Sequence, residues 1–158
     1  MIKYEEIPKY FFAEKRFFAE KIIESDDKSP DFFVKDNKNS YLVEFKIKEE
    51  AGGLTQEREQ TLKNGAIFSV EKSLDRNNTI SGRISKSSEQ LSENIALGLK
   101  ADFRIIWYHA VGRFPEVNFH QIKSTIYGSV DIVVLGENSP TLPCLYFTFN
   151  DFYRYKDF

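Results

Sequence analysis

Asp31, Glu44 and Lys46 stand in a stretch that otherwise reads as an apolar hairpin, SPDFFVKDNKNSYLVEFKIKEE, from Ser29 to Glu50. Ionised groups among Phe, Val and Leu are costly unless charge or hydrogen bonding compensates. The turn-forming run DNKNS separates two strands predicted over Asp31–Lys35 and Tyr41–Lys48. A turn centred on Asn37-Lys38 pairs Lys35 with Ser40, Phe33 with Leu42 and Asp31 with Glu44. Alternation puts Tyr41, Val43, Phe45 and Ile47 on one face, and Leu42, Glu44, Lys46 and Lys48 on the other. Asp31 and Glu44 then face each other roughly 5 Å apart at Cβ, with Lys46 one pleat further, roughly 7 Å from Glu44. Like charges so close push one carboxyl pKa upward, and a hard cation relieves the repulsion. Mg²⁺ is usually held by one or two carboxylates, with water and substrate phosphate completing its shell. It polarises a phosphoryl oxygen and lowers the pKa of a bound water. An ammonium beside it can stabilise the attacking hydroxide or the charge growing on phosphorus. These residue types at this spacing therefore suit metal-assisted hydrolysis of a phosphodiester.

The elements that must position them follow from pattern. Residues 10–24, YFFAEKRFFAEKIIE, read as a helix with Phe11, Phe18 and Ile22 at helical spacing and Pro8 before its start. Residues 49–85 are an excursion, with a short polar helix over Thr55–Leu62, a short strand over Gly65–Val70 and loop over Leu74–Gly82. A second long helix is expected over 85–99, with Leu91, Ile95 and Leu99 as its stripe and Ser85 or Ser87 as its cap. Asp102–Val111 reads as a buried strand and Gly112–Asn118 as a loop. Phe119–Tyr127 reads as a helix with Phe119, Ile122, Ile126 and Tyr127 on one side, ended by Gly128. Strands follow over Val130–Leu135 and Cys144–Phe149. The order predicts a single α/β domain over 1–158, a central mixed sheet flanked by helices.

Pro30-Asp31 followed by Glu44-Phe45-Lys46 resembles the PD-(D/E)XK nuclease superfamily and its restriction-endonuclease-like fold. That pattern has Pro-Asp opening one strand, then carboxylate-x-Lys in the next after a turn. The resemblance spans about residues 10–111. It implies that Asp31 and Glu44 bind Mg²⁺ or Mn²⁺, with the Phe45 carbonyl as a further ligand, and that Lys46 positions or activates water. It makes Glu14 the first-helix glutamate, with Glu20 as the alternative. Lys86 and Gln90, one helical turn apart, become backbone contacts to nucleic acid, with Lys48 and Arg83 as a basic rim. The family usually has a strand between the first helix and the Pro-Asp strand, and ESDDKS is a poor one.

Bulk composition bounds these expectations. The chain has 158 residues, 41% hydrophobic and 15% aromatic, which argues for a packed core and against disorder. Net charge is −2, so contact with DNA, the expected partner, must come from a local patch. Lone Cys144 allows no internal disulfide, and His109 and His120 are isolated. No apolar run approaches a membrane span, and MIKYEEIPKY lacks the apolar stretch of a signal peptide. A soluble, cytoplasmic protein with no membrane partner is expected. The readings are a Mg²⁺-dependent nuclease, with a homodimer natural for cutting duplex DNA; an RNA-directed nuclease; or a catalytically silent interaction module of the same fold that binds a protein partner.

Overall fold

The pentapeptide FFAEK occurs twice, at 11–15 and 17–21, and adopts two structures. In the computed structural model, which describes residues 3–22, 29–49, 52–69, 74–96, 98, 100–133, 141–145 and 150–154, the first copy closes a helix and the second forms a strand. The elements are α1 (Ile7–Glu14, after a 3-10 turn at Tyr4–Glu6), β1 (Phe18–Lys21), β2 (Phe32–Lys35), β3 (Ser40–Lys48), α2 (Gly52–Lys63), α3 (Asn78–Ala96), β4 (Phe103–Ala110), α4 (Pro115–Tyr127), β5 (Ser129–Val133), β6 (Thr141–Leu145) and α5 (Asp151–Arg154). The chain divides into two compact units. Met1–Ile47, Thr79–His109 and Tyr155–Phe158 form one, and Lys48–Asn78 with Ala110–Arg154 form the other.

Three backbone details end α1. Arg16 takes φ 61° in the left-handed region. Its N–H reaches the Ala13 carbonyl at 3.0 Å, and the Phe17 N–H reaches the Phe12 carbonyl at 2.8 Å. These are the two bonds of a Schellman motif. Phe17 packs edge-on against Phe12 with ring centroids 6.1 Å apart, the apolar contact that accompanies such a cap. The helix expected over 10–24 is thus corrected: it stops at Glu14, and Phe18–Lys21 becomes the strand that the pattern of apolar residues had hidden. Ile23 and Glu24 lie outside the described residues.

In the first unit the sheet runs in the order β1-β2-β3-β4. β1 and β2 are antiparallel, as are β2 and β3. Hydrogen bonds from Asp102 N–H to Ser40 O and from Val111 N–H to Lys48 O show both strands advancing together, so β3 and β4 are parallel and the sheet is mixed. The hairpin register is the expected one: Lys35 opposite Ser40, Val34 opposite Tyr41, Phe33 opposite Leu42. Asp36 sets it. Its Oδ1 accepts the N–H groups of Lys38 and Asn39, both at 2.6 Å, and its Oδ2 accepts the Tyr41 hydroxyl at 2.7 Å. The Tyr41 hydroxyl, then these two amides, hold the Asp36 carboxyl below its ordinary pKa.

One face of this sheet carries the core cluster Phe32, Val34, Val43 and Phe45, capped by Phe12 of α1, with Trp107 packed against it. Each such burial contributes about 1.5–3 kcal/mol. The other face is covered by α3, anchored by Arg104 to Ser92 Oγ at 2.9 Å and by the Tyr108 hydroxyl to Ile80 O at 3.3 Å. α3 begins at Asn78, earlier than the 85 expected, because its buried side is Ile80, Ser81, Ile84, Ser87, Gln90, Leu91 and Asn94, more than half of it polar. Ser85 and Ser87 sit inside the helix rather than capping it, Ile95 is exposed, and Leu99 lies outside the described residues.

In the second unit α2 covers the expected polar helix. Residues 66–69 form no strand. α4 starts at Pro115, not 119, and Gly128 ends it with φ 67° and an N–H bond to Ser124 O. Its buried side is Asn118, Gln121, Ile122, Ser124 and Thr125, while Phe119 and Tyr127 are exposed, so the expected apolar face is rotated. β5 and β6 pair with each other as a separate sheet, and residues 134–140 and 146–149 lie outside the described residues.

Candidate active site

The ladder of β2 and β3 runs to Phe32 opposite Val43. Asp31 stands one residue beyond the last ladder pair, and its charge acts on Glu44. Asp31 stands just before β2, and its Oδ2 accepts the Phe45 N–H at 2.7 Å. This bond fixes Asp31 against the middle of β3. Buried Pro30 precedes it.

Glu44 is 2% exposed, beside fully buried Leu42 on the α3 face of β3. Its Oε1 accepts a hydrogen bond from the Lys46 ammonium, so the two residues form an ion pair along one strand. Its Oε2 is buried with no hydrogen-bond partner. Burial is the main cause that raises the Glu44 pKa. The Lys46 hydrogen bond opposes that rise, and the charge of Asp31 adds to it. A buried carboxylate oxygen without a donor is expensive. It is also a hard oxygen that could serve as a metal donor, and the charge of a second carboxylate, Asp31, acts on it. Asp31, Glu44 Oε2 and the Phe45 carbonyl are the donor chemistry that Mg²⁺ or Mn²⁺ takes. Among the described residues, no three His, Cys, Asp or Glu side chains gather closely enough to hold a metal alone, so a cation held at this site would need carbonyl and water oxygens as well.

A groove of about 400 Å³ opens beside Asp31 and is lined by Glu5, Lys21, Asp31, Phe32, Phe45 and Ile47. Neither Glu5 nor Lys21 is visible as a site residue in the sequence. Glu5 precedes the helix proper, and Lys21 lies in the segment whose period reads as helical. Register supplies the placement, since Lys21 stands opposite Phe32, next to Asp31.

The remaining expected residues fall in different places. Glu14, in the last turn of α1, is 75% exposed beside Lys15 and does not line the groove. Glu20 is exposed on β1, opposite Phe33, and does not line it either. Lys86 is exposed and Gln90 buried, so the two do not form one outward surface. Arg83 donates to the Ile47 carbonyl at 3.0 Å, joining α3 to the end of β3. Lys48, half-buried, ends β3 and belongs to the second unit. His109 packs against the Phe45 ring at 6.1 Å, and Cys144 pairs with Val130 in β6.

No helix among the described residues is long and apolar enough to cross a membrane. Compared with known proteins, the chain matches no family model, no curated protein and no solved structure.

Proposed function

We propose that the protein is a nuclease of restriction-endonuclease-like fold that hydrolyses DNA phosphodiesters with Mg²⁺ or Mn²⁺. The observation that carries this reading is Asp31, held just before β2 by the Phe45 N–H, with its charge acting on Glu44, one of whose oxygens is buried without a hydrogen-bond partner while Lys46 engages the other. The order helix, three strands, helix, strand in the first unit supports it, and so does β1, the strand that ESDDKS could not supply.

Asp31, Glu44 Oε2 and the Phe45 carbonyl would hold the cation. When bound, it supplies Lewis-acid activation of the phosphate and an acidified water. The chain's own residues do the rest. Asp31 is held by Phe45 N–H, so its carboxylate is oriented before substrate arrives. The Lys46 hydrogen bond opposes, without cancelling, the rise that burial gives the Glu44 pKa. With three donors on its ammonium and 28% exposure, Lys46 also reaches outward to an attacking water or a phosphoryl oxygen. Glu5 lines the groove beside Asp31, whereas Glu14 does not.

The test is cleavage of supercoiled plasmid and single-stranded DNA with Mg²⁺ or Mn²⁺, wild type beside Lys46→Ala. Metal-dependent nicking by wild type alone supports the reading. The net charge of −2 favours a second reading, an interaction module without catalysis, which predicts no Mn²⁺ binding at Asp31.

A further inference from the structure

Two buried oxygens without a hydrogen-bond partner in the protein lie on the facing sides of β3 and α3, Glu44 Oε2 and Ser87 Oγ. Their residues are 2% and 0% exposed. The fastenings of α3 bring them to the same level of the sheet. Arg104, near the start of β4, bonds Ser92, and Tyr108, near its end, bonds the Ile80 carbonyl. β4 advances beside β3 from Ser40 to Lys48, and Arg83 bonds the Ile47 carbonyl. α3 therefore runs antiparallel to β3 across this face, with Ser92 toward Ser40 and Arg83 toward Ile47. Ser87 falls midway between Arg83 and Ser92, and Glu44 midway between Ser40 and Ile47. A hydroxyl can both donate and accept, yet these two oxygens do not bond each other. Buried polar groups left in this way call for a third group that both can bind, an ordered water or an ion.

We infer that Ser87 is a positioning residue for a divalent cation at Glu44: its hydroxyl binds a water carried by the cation that Glu44 Oε2 ligates. Mg²⁺ keeps several waters when one or two carboxylates hold it. Groups that fix such a shell from outside change metal affinity about 10- to 100-fold. The inference rests on the cation site of the nuclease reading and not on catalysis, since it concerns binding alone.

The experiment is titration of the full chain with Mn²⁺, the free ion being counted by electron paramagnetic resonance, beside urea unfolding of the metal-free protein. Wild type, Ser87→Ala, Ser87→Thr and Ser92→Ala are compared, with circular dichroism to confirm folding. Ser87→Ala should weaken Mn²⁺ binding about 10-fold. Its metal-free urea midpoint should equal or exceed that of wild type, because the lost hydroxyl makes no bond within the protein and is costly to bury. Ser87→Thr keeps the hydroxyl and most of the affinity. Ser92→Ala releases Arg104 from α3, lowers the midpoint and leaves Mn²⁺ affinity unchanged. Unchanged affinity in Ser87→Ala overturns the inference and leaves the hydroxyl beside a structural water only. A loss of affinity that comes with a lower midpoint and recurs in Ser92→Ala also overturns it, since that pattern marks helix packing. Mn²⁺ bound through Ser87 by a protein that cuts no DNA keeps the inference and removes the nuclease reading. DNA cut by wild type with Mn²⁺, while Ser87→Ala binds the ion normally, does the reverse. Wild type that binds no Mn²⁺ removes both.

Discussion

Asp31 Oδ2 and the backbone N–H of Phe45 are 2.7 Å apart, a hydrogen bond that joins the entry of one strand to the centre of the next. Asp31 therefore has a structural task and a proposed chemical one, and two substitutions separate them. Asparagine keeps an acceptor for Phe45 and loses the charge. Alanine leaves a partly buried N–H without a partner, at a cost of about 1–3 kcal/mol. In urea unfolding, Asp31→Asn should be more stable than Asp31→Ala by about 1 kcal/mol or more, while both lose Mn²⁺ binding. Equal stability of the two variants contradicts the structural task, and Mn²⁺ retained by Asp31→Asn contradicts the chemical one.

The ion pair of Glu44 with Lys46 predicts a non-additive pair of substitutions. The sequence alone leads to the expectation that Lys46→Ala leaves folding intact. With Glu44 2% exposed, that variant strands a carboxylate and should lose about 1.5–3 kcal/mol. Adding Glu44→Gln removes the stranded charge and should restore part of the loss. A double-mutant cycle by chemical denaturation measures the coupling. Strict additivity would show that the pair does not act as a unit.

The raised pKa of Glu44 sets the pH behaviour. In the metal-free protein its native form holds more protons than its unfolded form above the ordinary glutamate value of about 4.3. Its contribution to stability is thus fully present below that value and is lost as pH rises through the folded pKa. A cation needs the deprotonated form, so Mn²⁺ stabilisation should grow over the same interval. It should reach about 2.7 kcal/mol when the ion is at 100 times its Kd. Melting temperatures with and without Mn²⁺ across a pH series test this. A metal-induced shift that does not vary with pH contradicts it.

Arg16 closes α1 in a conformation that favours glycine. Arg16→Gly should raise stability by about 0.5–1 kcal/mol, since the left-handed region costs other residues roughly 1–2 kcal/mol and glycine's extra unfolded freedom takes some of that back. A lower urea midpoint for the variant would show that the Arg16 side chain makes a contact worth more than the strain.

The two copies of FFAEK show where sequence reasoning succeeds and stops. Both copies carry the same local preferences, so only the Schellman cap at Arg16 and pairing with β2 decide that one is helix and the other strand. No glycine marks the cap. The hairpin was legible because Asp36 folds the turn through its own carboxylate and because strict alternation on β3 specifies register. Asp31, Glu44 and Lys46 came with it. The onset of α3 was not legible, because Ser87, Gln90 and Asn94 occupy buried positions where apolar residues are expected. Glu5 and Lys21 join Asp31 only through tertiary placement, and no local spacing points to them.

The central claim is tested most directly by single-turnover cleavage of a DNA duplex and of a single strand with Mg²⁺ or Mn²⁺, comparing wild type with Asp31→Asn. The account predicts metal-dependent cleavage by wild type, and a loss of at least about 100-fold in the folded variant, the scale at which removing one transition-state-stabilising group acts. Cleavage by Asp31→Asn at the wild-type rate, or none by wild type with either metal on either substrate, would contradict it.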